Sequence, residues 1–369
     1  MLRSEGVGTL FLPLLVPWPF PYFLFTKTDV GWRPKIVWTP GATRWLLVEV
    51  LPVLAFLLLI FGIRVFHCRS YPPAYCVVKL KRLFHRIKVV FDPRSDFPEE
   101  NVTAGIWGES SKAFDFWKRS EKVILENSEA VVCIADTYRN HYMKVAPNAN
   151  YFHAPNNVNT EKFYRSEIER KRLRHILNIA DDELVFCYVG AMTTQGWHRA
   201  SVYAHVVKNL RPLSLKHRFL FLVPKFSRDI LIKELEAVNA LEQCIIIHPG
   251  YDEVPAYLSV ADVGLMYLHR SKVAVGTKIG EYAASGLPVI TNSNCLGAVE
   301  IVTKYDIGTI VDLGVGDLDM PTEPSFNLLV KRLKHIEIWG QEIRVFAEEY
   351  FSNESIAKTY LNKYDEICD

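Results

Sequence analysis

The chain reads as α/β, organised as two domains that each carry a parallel sheet, and three observations point there. Its 369 residues exceed what one hydrophobic core comfortably holds and suit two domains of roughly 150 to 200 residues each. From Ile63 onward, short β-branched or aromatic runs alternate with longer amphipathic stretches, the pattern of strands joined by crossover helices. Two clusters of turn formers, Ala146-Pro147-Asn148 and Pro155-Asn156-Asn157, interrupt that alternation near its middle.

Taken in order, the first domain is expected to hold strands at Ile63 to His67, Lys88 to Phe91 and Ala130 to Ile134, with helices at Pro73 to Phe84 and Lys112 to Asn127. A helical stretch from Thr160 to Leu177 then leads into the second set of strands. These are Leu184 to Val189, Phe219 to Val223, Cys244 to His248, Val263 to Tyr267, Leu287 to Thr291 and Thr309 to Val311. The tail from Phe326 to Cys368 is helical in pattern. The expected division is residues 1–160, residues 161–345, and a terminal helix over 346–369 that packs back on the first domain.

The opening residues fit this scheme poorly. Thr9 to Phe25 is apolar but broken by Pro13, Pro17, Pro19 and Pro21, which a spanning helix does not readily accommodate. Val50 to Ile63 is short and contains Pro52 and Gly62, which suits a buried helix or helix-plus-strand better than a membrane span. There is no basic leader with a small-residue cleavage site, so no signal peptide is expected. Seven cysteines, without a C-x-x-C pair and mostly inside apolar runs such as Val132-Cys133-Ile134, read as reduced core residues of a cytoplasmic protein.

A formal net charge of +2 gives no global attraction to nucleic acid, so any anion must be met locally. No HExxH, Cys/His cluster or Walker-type loop occurs, and neither a metal nor a cofactor is expected. The basic stretch Lys79 to Lys88 reads first as a solvated helix face, and second as a peripheral contact with anionic lipid at the inner face of a membrane.

Chemistry concentrates in Val275-Gly276-Thr277-Lys278-Ile279-Gly280-Glu281-Tyr282-Ala283-Ala284-Ser285-Gly286-Leu287-Pro288-Val289-Ile290. Gly276 permits a turn, Thr277 is a good N-cap, Gly286 stops the helix, and Pro288-Val289-Ile290 opens a buried strand. A helix start beside the carboxyl ends of parallel strands suits an anion. Lys278 adds a positive charge there, and Glu281 offers a carboxylate to vicinal hydroxyls. An ordinary helix start bearing surface charges reads equally well from this pattern alone.

This run resembles the donor-site motif of retaining GT-B glycosyltransferases, the group 1 or family 4-like enzymes. Flanking segments are similar in order and spacing: Tyr251 to Leu258, Ala261 to Leu265, Gly297-Ala298-Val299-Glu300-Ile301-Val302, and the linker Pro155-Asn156-Asn157-Val158-Asn159-Thr160-Glu161-Lys162-Phe163. The resemblance implies two Rossmann-like domains facing across a cleft, and transfer of a sugar from a nucleotide-diphosphate sugar to a glycan or lipid-linked hydroxyl. It implies that Glu281 holds ribose hydroxyls, that Lys278 and Thr277 meet phosphate, and that the Gly297 to Val299 amides complete the cradle, with Glu300 in the same set. Lys278 and Glu281 are the residues expected to carry catalysis. Gly190, ending the strand Leu184 to Val189, and Gly276 let backbone approach the donor. Arg69, Asp92, Arg94 and Glu99, just past strand ends of the first domain, are the acceptor-side candidates.

The sequence departs from the family at two places. Val273 stands where the family usually has a second glutamate, and Gln195 where it usually has a lysine, with Lys225, Arg228, Arg270 or Lys272 as candidates for the lost charge. Those departures keep open a non-catalytic GT-B subunit that binds a partner or nucleotide, and a nucleotide-sugar hydrolase or epimerase.

Overall fold

The computed structural model describes residues 64–270, 273, 275–314 and 330–368, together with the backbone of 18–28 and 31–39 and parts of a helical stretch at 52–60. The chain is α/β, as its alternating pattern predicts. Two parallel sheets carry it.

The first sheet has four strands in the order β3-β4-β5-β6, namely Val65–Arg69, Lys88–Asp92, Ala130–Cys133 and Tyr151–His153. Helices α1 (Tyr71–Lys81), α2 (Phe97–Thr103), α3 (Lys112–Asn127) and α4 (Asp136–Met143) connect them. Helix α3 starts where Ser111 Oγ accepts the amide of Phe114 at 3.2 Å, the capping that its serine foretells. Strand β3 lies two residues later than its apolar run suggests, in register with β4 from Val65–Lys88 to Arg69–Asp92. That register puts Arg69 and Asp92 side by side at the carboxyl end of the sheet.

The second sheet has six parallel strands: β7 (Leu184–Val189), β8 (His217–Leu222), β9 (Cys244–Ile247), β10 (Val263–Met266), β11 (Val289–Thr291) and β12 (Gly308–Ile310). Their order is β12-β11-β10-β7-β8-β9, so the winding reverses between β7 and β10. In an open parallel sheet that reversal leaves a crevice outside the carboxyl ends of the two strands, the usual place for a ligand. Helices α5 (Glu167–Ile176), α6 (Ala200–Leu210), α7 (Lys225–Ala237), α8 (Val254–Leu258), α9 (Lys278–Ala284) and α10 (Leu296–Tyr305) flank it.

Two further helices close the chain, α11 (Ile336–Tyr350) and α12 (Asn353–Cys368). Ile356, Tyr360 and Ile367 of α12 pack with Val90, Ala130, Val132 and Ala154 of the first sheet, so the last helix covers the first domain. At the crossing, Val158 donates its amide to Phe351 at 2.8 Å, which ties the linker to the junction of α11 and α12.

The expected N-terminal elements turn out differently where they can be seen. Trp18–Thr28 (β1) and Gly31–Thr39 (β2) form an antiparallel hairpin, while Thr9 to Pro17 and most of Val50 to Ile63 lie outside the described residues. Within the second stretch Leu54 is buried, but Phe56, Leu59 and Ile60 are exposed, so these three side chains are not core. No described helix is long and apolar enough to cross a membrane. No disulfide forms among the described cysteines.

Helix α9 is fastened to the sheet by Tyr282. Its buried hydroxyl accepts the amide of Val189 at 3.0 Å and donates to the carbonyl of Leu265 at 3.3 Å, spanning the ends of β7 and β10. The ring lies where Gly264 has no side chain, since a Cβ there would stand 2.5 Å from it. Gly264→Ala is therefore expected to lower stability by about 1–3 kcal/mol through overpacking. Urea unfolding of the purified variant measures it.

Candidate active site

The crevice between β7 and β10 is built from four short segments. Strand β7 ends in Gly190, whose φ of +126° few side chains tolerate. A Cβ at Gly190 would also fall 2.6 Å from Cε of Lys278. The lysine side chain therefore runs across this backbone, and its ammonium comes to rest 3.4 Å from Nε2 of His198 and 5.4 Å from the ring centre of Tyr188. No carboxylate pairs with it among the described residues. Burial lowers the affinity of Lys278 for its proton, and the charge of Glu281 opposes that shift without reversing it.

Glu281 sits one turn along α9, half-buried, with no hydrogen-bond partner among the described residues. Burial raises its pKa, offset in part by Lys278 and Lys162. An unpartnered carboxylate and an unpaired ammonium three positions apart face ligands of opposite character, hydroxyl donors and an anion respectively.

The helix starts at Lys278 with Thr277 in the N-cap position, as its sequence reading has it, but the Thr277 side chain caps nothing and its backbone is itself helical, with φ −54°. The turn begins one residue earlier, with Ile279 donating to the carbonyl of Gly276 at 3.2 Å. The exposed Thr277 hydroxyl is thereby left to a ligand. Gly276 keeps Met266 close, since a Cβ there would collide with its thioether.

Helix α10 supplies the other wall, with two corrections. The Val299 amide donates to Cys295 at 2.8 Å and belongs to the helix, while that of Ala298 approaches the buried Cys295 thiol, which burial pushes up to about 12. Among the expected cradle amides, Gly297 retains no backbone acceptor among the described residues, and Leu296 beside it has none either. Glu300 is engaged by the first domain. Its two oxygens accept the amides of Asp136 and Thr137, at 2.7 and 2.6 Å, at the start of α4 in the first domain. A carboxylate at a helix N-terminus meets both free amides and the positive end of the helix dipole. Glu300 is thus a clasp between the domains.

On the facing wall Asp92 is 1% exposed. Its Oδ2 accepts from Nε of Arg94 at 2.8 Å and lies 3.3 Å from Nε2 of His67, while Oδ1 has no partner. Burial pushes the Asp92 carboxyl up, but the His67 hydrogen bond and the Arg94, His67 and Arg69 charges outweigh it and hold it below the ordinary range. Arg94, at φ +59°, also donates to Oδ1 of Asn156 at 2.5 Å, and Asn156 donates to the carbonyl of Val275 at 3.3 Å. The acceptor-side pair Asp92–Arg94 therefore reaches, through one buried linker asparagine, the residue before Gly276. Glu99 pairs with Lys118 at 2.8 Å and leaves Oε2 without a partner. Arg69 is exposed beside Asp92.

Of the residues suggested for the missing charge, Arg228 pairs with Asp229 at 3.4 Å and Lys225 and Arg270 are exposed. Lys272 lies outside the described residues. Val273 is half-buried against the core, and Gln195 reaches across the cleft, where a Cβ on Gly105 would meet its Oε1 at 2.7 Å. A separate cavity of about 800 Å³ opens at the far end of α9, lined by Thr160, Tyr164, Ser285, Gly286 and Arg344. The Arg344 guanidinium is already spent on the carbonyls of Thr160, Phe163 and Ala284, so that cavity offers an anion nothing comparable to Lys278.

Sequence reasoning missed His198 and Asn156 as parts of the site. Asn156 was read only as part of the linker signature, and His198, which lies in no motif, meets Lys278 across 80 residues of chain.

Residues 183–318 match the model of the family described as glycosyl transferases group 1. That stretch runs from β7 through α9, α10 and β12, and so contains the whole crevice. Residues 183–318 are a glycosyltransferase domain. The chain around it has the GT-B fold. Sucrose-phosphate synthase from Thermosynechococcus elongatus superposes with a TM-score of 0.68 at 17% identity, over 93% of this chain and 85% of that one. A glycosyltransferase from Rickettsia africae gives 0.67 at 14%, over 91% and 85%. Anabaena HepE, solved in complex with UDP, gives 0.68 at 11%, over 90% and 86%. No curated protein sequence matches the chain.

The Glu300 clasp makes a specific expectation for this glycosyltransferase domain. Glu300→Ala removes two charge-assisted caps and should lower stability by about 1–2 kcal/mol, while nucleotide affinity at fixed domain closure stays within about twofold. Thermal unfolding and a distance label across the cleft check both.

Proposed function

We propose that the protein moves a sugar from a nucleotide-diphosphate sugar to a hydroxyl of a glycan or lipid-linked acceptor, with retention of configuration and without a metal. The observation that carries this reading is the Lys278 ammonium, partly buried at the reversal point of the sheet and lacking a carboxylate partner among the described residues. An ammonium so placed wants an anion, and a diphosphate supplies one with two to three charges at neutral pH. The UDP held by HepE on the same fold supports the choice.

In this reading Glu281 accepts hydrogen bonds from ribose hydroxyls, and its raised pKa matters little because a neutral or charged carboxyl still binds a diol. The diphosphate lies against the Lys278 ammonium, beside the exposed Thr277 hydroxyl. As the sugar–oxygen bond breaks, negative charge grows on the leaving phosphate. In this reading Lys278 and the Leu296 and Gly297 amides at the start of α10 meet that charge and stabilise the transition state without rearranging. Asp92 and Glu99, each with one buried oxygen lacking a partner among the described residues, are the acceptor-side carboxylates in this reading. Retention is what the resemblance to the retaining enzymes supports. Exposed Arg82, Leu83 and Arg86, just before β4, form the mixed basic and apolar patch that a lipid-linked acceptor would bring against a membrane surface.

Titration calorimetry with UDP and GDP, followed by assays of UDP- and GDP-sugars with and without lipid-linked acceptor, separates transfer from hydrolysis and from silent binding. Lys278→Ala should weaken the preferred nucleotide diphosphate by about 10- to 100-fold; unchanged affinity removes the donor site from this crevice. The sign of the pH dependence follows from burial of the ammonium. Lys278 loses its proton at lower pH than an ordinary lysine, so diphosphate affinity should fall as pH rises through that lowered value. Lys278→Arg, which keeps its charge, should erase this limb in a calorimetric pH series.

A further inference from the structure

We propose that His198 is a positioning residue that holds the Lys278 ammonium on its station at the crevice as an uncharged hydrogen-bond acceptor. The proposal rests on the donor-site reading above. Its own basis is the wiring of the imidazole.

An ammonium has three donors and no acceptor. At 3.4 Å from Lys278 Nζ, Nε2 of His198 can only be the accepting nitrogen, so the ring proton resides on Nδ1. Nδ1 lies 3.1 Å from the hydroxyl of Tyr203, to which it donates. That hydroxyl also accepts the amide of Tyr267 at 3.2 Å and donates to the Tyr267 carbonyl at 3.4 Å. Both lone pairs and the single proton of the Tyr203 hydroxyl are then used, and the tautomer of His198 is set by backbone just beyond β10. Tyr188 completes the box, its ring centre 5.6 Å from that of His198 and 4.2 Å from that of Tyr203. Burial and the neighbouring ammonium keep His198 well below its ordinary pKa, which agrees with a neutral ring.

The choice of a histidine has a chemical consequence. An aspartate or glutamate at this place would also hold the lysine, but it would cancel the charge that the diphosphate needs. A neutral imidazole orients the ammonium and leaves its field intact. Gly190 contributes from the other side, because the space a side chain would take is the channel through which Lys278 reaches the ring.

The test compares nucleotides that carry phosphates with nucleosides that do not. Affinities of UDP and GDP, and of uridine and guanosine, are measured for the wild type, His198→Phe, His198→Gln and Lys278→Ala, together with donor KM and kcat. The expected result is about a tenfold loss of diphosphate affinity and a matching rise in donor KM for His198→Phe. Nucleoside affinity should be unchanged, and His198→Gln, which keeps an acceptor, should recover most of the loss. An equal loss for nucleoside and diphosphate would overturn the proposal in favour of a packing role, as would an unchanged diphosphate affinity. Should the phenylalanine variant fail to fold, His198→Asn decides by the same comparison. If Lys278→Ala itself leaves diphosphate affinity intact, the donor-site reading fails; if it weakens binding and the His198 variants do not, only this inference fails.

Discussion

The buried hydroxyl of Tyr282 is the contact on which the geometry of the crevice depends. It bridges the amide of Val189 and the carbonyl of Leu265, so it joins the ends of the two strands between which the sheet reverses. Because Tyr282 adjoins Glu281 and lies four residues from Lys278, one anchor sets the azimuth of both. The opposite face of α9 is held as firmly, with Gly280 against Val158 and Phe351 and with the Ala284 carbonyl gripped by Arg344. A helix of only seven residues has little stability of its own. Here its position is dictated from three sides by the sheet, the linker and the last helices.

The domain's treatment of its other cations sets Lys278 apart. Arg174 is 3% exposed and faces Asp262 at 3.4 Å, while Arg170 donates to the same carboxylate at 2.7 Å and to three successive carbonyls. Both guanidinium groups meet a carboxylate and backbone carbonyls within the protein, as burial of charge demands, and of their buried nitrogens only Nε of Arg174 is left without a partner among the described residues. Lys278 has only an imidazole lone pair and an aromatic face. The difference between a structural cation and a functional one is visible in this arithmetic of partners, independent of any resemblance.

Much of this was legible from residue order. Strand β7, helix α3 and the opening of β4 fall where periodicity puts them, because hydrophobic runs bounded by good caps leave few alternatives. Helix α5 starts later than its pattern suggests. The Asn159 side chain accepts the amides of Glu161 and Lys162, making a turn, and the helix waits for the Ser166 cap. Thr277 stands at the N-cap position that its sequence reading gives it, but its side chain makes no capping hydrogen bond. Glu300 was read with its neighbours as donor-facing, and a one-dimensional pattern cannot reveal that its partner is a helix start some 160 residues earlier. His198 was invisible for the same reason: its role arises from two loops meeting, and no local spacing records that.

The return of α12 to the first sheet has a consequence for how the molecule is made. His67 waits for Tyr364, 2.5 Å away, and Lys88 for the carbonyl of Ile367, so the earliest strands are finished by the latest residues. During synthesis the glycosyltransferase domain can assemble from contiguous chain as it leaves the ribosome, whereas its companion stays open along one face until α12 has been made. A stop codon ahead of α12 would accordingly spare residues 183–318 and cripple the sheet that was translated before them.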